Sequence, residues 1–313
     1  MPPFVELSES QLRQYVDAQA LMRAQRDALH DAAQVRGSMI WRELRGVRYL
    51  IRTSAQSAQK TIGPDSAETQ AMYAKFMERK EATSQRVKAL AARMDEQRKL
   101  NRVYGAGRVP SIIVKVLQAL GKADIADQFL TVGTNAVYAY ESASGVRVDN
   151  DTLATRDLDL LFDTRQRAAF VSTLRRLDSS LLAVLRKADK SFAVMRGQLQ
   201  TAVNDDGYEV DIIRRTAKDG DPHPLRMSAS EDDLWAVQVS SGEKMLGARK
   251  FEQLVISTTG EMAQMQTLHP LDFIRIKAAL AAKPGRDPLK APKDALQARV
   301  VQQLWDGYLR HRD

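Results

Sequence analysis

The chain has 313 residues, of which 44% are hydrophobic and 27% are charged, a composition typical of a folded protein with a buried core. It contains no cysteine, which excludes disulfides, thiolate catalysis and cysteine-bound zinc, and its four histidines are too few and too scattered for a histidine-rich metal site. The formal net charge of +8 and the isoelectric point near 9.6 favour acidic partners, of which nucleic acid is the commonest.

The first residues of the chain lack the basic and apolar pattern of a signal peptide. No apolar run approaches the roughly 20 residues that a helix needs to cross a bilayer. We therefore expect no membrane segment and a cytoplasmic location.

The amino-terminal third of the chain is predicted to be helical with one β-hairpin. Residues 8–42 carry apolar side chains at helical spacing, and Ser8 with Gln11 makes a capping box at the start. Residues 47–52 then alternate apolar and basic side chains, and residues 60–62 supply the returning strand of a hairpin.

A long helix follows the hairpin. Asp65 and Glu68 indicate its start, and its apolar positions continue until the glycines in residues 105–107 break the chain. We therefore assign residues 1–108 to a helical region that contains a β-hairpin.

Helical and extended patterns alternate over residues 109–225, which is typical of a sheet covered by helices. The predicted elements are helices at residues 110–120, 136–140 and 164–186 and strands at residues 146–148, 157–162, 192–194, 199–203 and 208–213. The sequence Asn-Asp-Asp-Gly at residues 204–207 is a turn signal that sends the chain back into the last of these strands.

The remaining region, residues 226–313, is predicted to be mainly helical. Residues 254–256 and 262–265 suggest one more hairpin. Two helices follow, one after His269 and one that begins at Pro292 and ends near residue 310.

Two acids lie inside an otherwise apolar strand pattern. Residues two apart in a strand point the same way, so Asp157 and Asp159 share one face while Leu158 and Leu160 occupy the other. Neighbouring carboxylates repel each other and are costly to desolvate unless a cation neutralises them. A hard divalent metal such as magnesium, which prefers oxygen ligands, would do so. The pattern therefore indicates phosphate chemistry, although a solvated sheet face is the ordinary alternative.

A third acid is expected from the later strand at residues 208–213. Asp211 lies between Val210 and Ile212, so its strand is apolar on the other face. Glu209 shares the face of Asp211 and is the rival candidate. A neighbouring strand that brings either acid to the first two would complete a metal cluster.

These residues together carry a resemblance to a known superfamily. The chain resembles the DNA polymerase β-like nucleotidyltransferases, whose pattern is a hydrophobic residue, Gly and Ser or Gly, then Asp-x-Asp, then a third acid on a later strand. Residues 132–134, Val-Gly-Thr, match the first element, with Thr in place of the usual Ser. Residues 157–159 match the second element and Asp211 matches the third. The separation from Gly133 to Asp157 is longer than in the minimal members.

Within that superfamily the chain is similar to a bacterial branch near the abortive-infection (AbiEii-like) toxin nucleotidyltransferases. The similarity lies in the Gly-Thr-Asn-Ala sequence that begins at Gly133 and in a downstream block. That block comprises a helix at residues 271–280 that contains Lys277, followed by Lys290 and by the pair Lys293 and Asp294.

The resemblance implies an α+β protein with a mixed sheet in its nucleotidyltransferase core, a helical and hairpin N-terminal region and a mainly helical C-terminal region. It also implies that Asp157 and Asp159 hold two Mg²⁺ ions and that Asp211 completes one metal site and helps deprotonate the attacking hydroxyl. The reaction would move a nucleoside monophosphate from an NTP to a hydroxyl acceptor and release pyrophosphate.

The same resemblance implies a nucleotide-binding set. Gly133 would let the triphosphate approach the backbone, and Thr134 would donate a hydrogen bond to it. Lys277 would balance triphosphate charge, with a solvated lysine as the alternative. Asp294 would belong to the same set, with a role at the start of a helix as its alternative.

The leading acceptor is RNA, a tRNA 3′ end above all, because of the net charge and the toxin-like block; an antitoxin partner then becomes an expectation. The hairpin residues Arg48, Tyr49, Arg52 and Lys60 mix aromatic and basic groups as RNA-binding surfaces do, or else Tyr49 packs on a neighbouring helix. Two rival functions remain: a catalytically inactive nucleotide- or partner-binding module, and a transferase that modifies protein.

Overall fold

Ten α-helices and fourteen β-strands form the described part of this computed structural model, which comprises residues 4–55, 57–218 and 220–312. The helices are α1 Glu9–Gln34, α2 Ala67–Val103, α3 Ser111–Lys122, α4 Val137–Ser144, α5 Asn150–Leu153, α6 Arg167–Arg176, α7 Leu181–Leu185, α8 Gly242–Gly247, α9 Pro270–Ala281 and α10 Lys290–Leu304. The strands are β1 Phe4–Glu6, β2 Ser38–Leu44, β3 Val47–Thr53, β4 Gln59–Pro64, β5 Phe129–Val132, β6 Val146–Val148, β7 Asp157–Phe162, β8 Ala193–Met195, β9 Gln198–Val203, β10 Glu209–Arg215, β11 Leu225–Arg226, β12 Trp235–Val239, β13 Lys250–Ile256 and β14 Met262–Leu268. The predicted α+β class is confirmed.

The chain divides into two units. Unit 1 comprises Met1–Leu12 with Asn101–Asp313, and unit 2 comprises Arg13–Leu100. The division of the chain into regions 1–108, 109–225 and 226–313 stays a prediction. None of the helices in the described ranges combines the length and the apolar character needed to cross a membrane.

Unit 2 contains most of α1 and α2 and an antiparallel sheet of order β2-β3-β4. The predicted hairpin of β3 with β4 is confirmed. The prediction of helix up to residue 42 was wrong, because the chain turns at Gly37, whose φ is +87°, and then runs as strand β2 beside β3. Residues 39–41 of β2 are consecutive apolar residues, so no period-two alternation indicates a strand there.

Hydrogen bonds at the start of the two long helices test the predicted caps. The capping box of α1 is confirmed: the Ser8 amide donates to Gln11 Oε1 (3.0 Å), and the Gln11 amide donates to Ser8 Oγ (3.3 Å). At α2 the reciprocal pair is Ser66 with Thr69, at 2.9 and 3.3 Å, rather than Asp65 with Glu68.

The main sheet of unit 1 has the order β11-β12-β10-β7-β5, and the β8–β9 hairpin extends it alongside β10. Strands β7 and β10 are parallel, as are β10 and β12, whereas β5 runs antiparallel to β7. The sheet is therefore mixed, as expected. The side chains of β7 that point away from the acids, Leu158 and Leu160, are fully buried and anchor this strand in the hydrophobic core.

One long helix was predicted where the structure has two short ones. Residues 164–186 form a 3₁₀ turn, then α6, and then α7. The chain breaks at Asp178, which has a φ of +47°, and α7 starts afresh with Ser180 Oγ accepting the Ala183 amide (3.1 Å).

In residues 226–313 the predicted hairpin and two helices are present, but strand β12, which pairs with β10, and helix α8 were not predicted. The expected hairpin is β13 with β14, paired antiparallel along their whole length. Helix α9 begins with Pro270 in its first turn, and α10 begins at Lys290, two residues before the predicted start. These two helices pack together, and α10 also packs against α4 and α5.

Candidate functional site

Strand pairing brings the three predicted acids together. In the parallel ladder of β7 with β10, Asp211 lies opposite Asp159, and Glu209 lies opposite Asp157. One carboxylate oxygen from each of Asp157, Asp159 and Asp211 lies within 4.8 Å of the other two, and all three residues are half-buried. Among the described residues no other group of three or more acids, histidines or cysteines is as close, and Glu209 is outside this group.

The electrostatics show that the protein alone does not neutralise the cluster. Burial, and then the charges of Asp157 and Asp211, raise the pKa of Asp159 to about 7, although Lys277 and Lys290 act to lower it. Burial also raises the pKa of Asp211, with Thr201 acting in the opposite direction. Three oxygen ligands in an environment that penalises their negative charge fit a hard divalent cation.

Two threonines hold the outer acids of the cluster. Thr201 Oγ1 donates to Asp211 Oδ1 (2.5 Å), and Thr155 Oγ1 donates to Asp157 Oδ1. Sequence reasoning missed both threonines. Thr201 could have been found from the predicted hairpin of β9 with β10, because the register of that hairpin places Thr201 opposite Asp211.

The glycine turn lies directly against the acids. Gly133 follows β5, whose last residue Val132 pairs with Asp159. Its φ is +69°, and a Cβ at this position would collide with Asp159 Oδ2. Asn135 fixes the turn to β7 by donating from Nδ2 to the backbone oxygen of Asp157 (2.5 Å). Only glycine therefore permits this approach of backbone to carboxylate.

Thr134 is connected to helix α10 through a glutamine that sequence reasoning did not single out. Gln297 is fully buried, and its Nε2 donates both to Thr134 Oγ1 and to the Thr152 carbonyl oxygen, each at 3.0 Å. The carbonyl can only accept, so it fixes the orientation of the amide. One sign of this role was present in the sequence: Gln297 lies three residues after Asp294, which places the two side chains on one face of α10.

Lys277 and Asp294, predicted as separate nucleotide-binding residues, form a buried ion pair. Lys277 Nζ donates to Asp294 Oδ1 (2.7 Å), and Arg286 binds the other oxygen of Asp294 at 2.6 and 2.9 Å. Lys277 is 9% exposed, so the alternative of a solvated lysine is excluded. Its charge acts on Asp159.

Two further lysines from the start of α10 complete the positive side of the site. Lys290 is exposed, and its charge acts on both Asp159 and Asp211. Lys293 Nζ donates to the Ala154 carbonyl oxygen (2.5 Å), and burial lowers its pKa while Asp157 acts to raise it. Acids on the sheet and lysines on α9 and α10 therefore form one bipolar site.

A comparison with protein families gives an independent result. A family model described as nucleotidyltransferase matches residues 111–313, which include the glycine turn, the three acids and helices α9 and α10. No curated protein and no solved structure matches the chain significantly. The match thus rests on the same segment that carries the cluster.

Proposed function

Because the chain belongs to this nucleotidyltransferase family, we propose that it moves a nucleoside monophosphate from an NTP to a hydroxyl acceptor and releases pyrophosphate. The observation that carries the proposal is the carboxylate cluster of Asp157, Asp159 and Asp211 against the Gly133 turn. The protein alone does not neutralise the negative charge of these three acids. The cluster therefore suits a nucleoside triphosphate that binds together with divalent cations.

Asp157, Asp159 and Asp211 would hold Mg²⁺, with two ions as the expected number. Bound there, Mg²⁺ would supply the positive charge that the phosphate oxygens and the departing pyrophosphate need. Asp211, whose carboxylate is held by Thr201, is our candidate for drawing the proton from the acceptor hydroxyl.

The turn and the lysines would bind the triphosphate. Thr134 Oγ1 already accepts a hydrogen bond from Gln297, so its own hydroxyl proton remains available to a phosphate oxygen. Lys277, Lys290 and Lys293 would balance the phosphate charge, and Asp294 would act by holding Lys277 in place.

For the acceptor we propose RNA, with a tRNA 3′ end as the first candidate, and a toxin-like role with an antitoxin partner as in the AbiEii-like branch. The support is the net charge of +8 and the sequence block around Lys277. The rival functions are a nucleotide- or partner-binding module without turnover and a transferase that modifies protein.

Incubation with Mg²⁺ and an NTP labelled at the α-phosphate is expected to release pyrophosphate and to label RNA when total RNA is supplied. The measurement is pyrophosphate release together with the label recovered in RNA and in protein. Label recovered only in protein would favour the protein-modifying transferase. Nucleotide binding without any pyrophosphate release would favour the inactive module.

Gln297→Leu is expected to raise the KM for NTP about fivefold with a smaller effect on kcat, since it removes the hydrogen bond, worth about 1 kcal/mol, that orients the Thr134 hydroxyl. The matched control is Gln303→Leu, a change at an exposed position of the same helix. If Gln297 acts through Thr134, the Leu substitution should add little in a Thr134→Val background. Additive effects in this cycle would contradict the positioning role.

A further inference from the structure

The net charge of the protein is concentrated in one unit. Unit 2, Arg13–Leu100, contains 17 Lys and Arg against 10 Asp and Glu, a net charge of +7. Unit 1 contains the other 30 Lys and Arg and 29 Asp and Glu, a net charge of +1. The unit that lacks the acid cluster thus carries nearly all of the overall charge.

Within unit 2 the three-stranded sheet is the most basic part. Residues 36–64, which contain β2, β3 and β4, have six basic residues and one acid, Glu43, a net charge of +5. The basic residues are Arg36, Arg42, Arg45, Arg48, Arg52 and Lys60. We call this segment the basic sheet.

Most of these cations are directed to solvent. Arg36, Arg42, Arg45 and Lys60 are exposed, and within the described ranges none of them lies within ion-pair distance of an acid. Arg52 differs from them, because its guanidinium donates to three backbone carbonyls of the unit and lies over the Phe76 ring. The basic sheet therefore has one structural arginine and a set of cations whose charge is not cancelled locally.

Aromatic side chains accompany the cations on this sheet. Arg48 lies 4.9 Å from the centroid of the Trp41 ring, and its side chain is 58% exposed with Asp65 at 3.7 Å. Arg42 pairs across the strands with Tyr49, which is half-buried. Exposed guanidinium groups beside aromatic rings offer both phosphate contacts and stacking surfaces to a nucleic acid strand.

We propose that the basic sheet binds the sugar-phosphate backbone of the acceptor RNA. Its identification as the acceptor rests on the proposed function; the binding itself does not require turnover. A surface with net charge +5 and unpaired cations attracts phosphates through release of their counterions. The sheet also exposes the apolar side chains Ile40, Leu44, Val47 and Ile62, so an anionic membrane is the rival occupant that the test must distinguish from RNA.

The test measures RNA binding by the full chain without NTP or Mg²⁺, using fluorescence anisotropy of a labelled single-stranded RNA over a salt series. The variant combines Arg42→Gln, Arg45→Asn and Lys60→Gln. Asparagine is chosen at position 45 because Arg45 has a φ of +53°. Loss of three phosphate contacts should reduce the slope of log K against log salt by about 2 and weaken binding roughly ten- to a hundredfold at low salt.

The control removes the same charge from unit 1 by Lys122→Gln, Arg167→Gln and Arg175→Gln, all at exposed positions without an ion pair among the described residues. It should change RNA affinity less than threefold. Equal weakening by the control, undiminished binding by the sheet variant, or no RNA binding by the unmodified protein would each overturn the inference. So would binding of the unmodified protein to anionic phospholipid vesicles but not to RNA. NTP-dependent pyrophosphate release, assayed separately, shows whether the transferase function stands when RNA binding fails.

Discussion

Asp159→Asn is expected to reduce pyrophosphate release by at least about a thousandfold, because it removes one of the three carboxylates that would hold the metal. It should also abolish the rise in melting temperature that Mg²⁺ or Mn²⁺ produces in the unmodified protein. The matched control is Glu209→Gln, a residue on the same strand face as Asp211 but outside the cluster. Activity that survives in Asp159→Asn and disappears in Glu209→Gln would reject our assignment of the third acid and of the metal site.

The same substitution should stabilise the metal-free protein at alkaline pH. The pKa of Asp159 rises from 3.8 to about 7 on folding, so its favourable contribution is complete below about pH 3.8 and is lost as the pH rises through about 7. At about 1.4 kcal/mol per pKa unit, the free energy of unfolding should fall by roughly 2–3 kcal/mol between about pH 5 and pH 8. Urea unfolding with a chelator present checks this, and a wild-type protein with the same pH dependence as Asp159→Asn would contradict it.

Asp294→Ala is expected to lower the free energy of unfolding by about 3–5 kcal/mol, because it leaves the buried Lys277 ammonium and the Arg286 guanidinium without their shared carboxylate. The side chains of Lys277 and Asp294 are 11% and 4% exposed, so water does not replace the lost bonds. Urea unfolding at neutral pH is the measurement.

The matched control for Asp294→Ala is Asp306→Ala, at a position just after the end of α10. Asp306 forms an ion pair with Arg310 at 2.5 Å, but both side chains are exposed, so Asp306→Ala should leave the stability nearly unchanged. Comparable losses in the two variants would show that burial of the Asp294 network is not what stabilises it.

The parts of the site that alternate along a strand could be predicted from the sequence. Asp157 and Asp159 share a face by strand period alone, and the turn at residues 204–207 fixed the start of the strand that carries Asp211. The period of the side chains does not predict that β7 pairs with β10 rather than with another strand. That pairing, seen only in the fold, converts three acids into a cluster.

The missed elements lacked a periodic signal. Strand β5, Phe129–Val132, is buried on both faces, so its four residues show no alternation. Lys277 and Asp294 are 17 residues apart in the sequence, and Gln297 and Thr134 are 163 apart. Local sequence patterns do not predict contacts over such separations. The break at Asp178 lies in a run with helical apolar spacing and has no glycine or proline to indicate it.

The connection of Gln297 with Thr134 has a consequence for biosynthesis. A growing polypeptide that has just passed Asp211 already contains every carboxylate of the cluster, yet it lacks Lys277, Lys290 and the glutamine that orients the turn. Until α10 is made and docked, the acids repel one another without their counter-charges. A nascent chain at that stage would therefore be inert as a transferase, and activity would arise only once α9 and α10 had left the ribosome and folded.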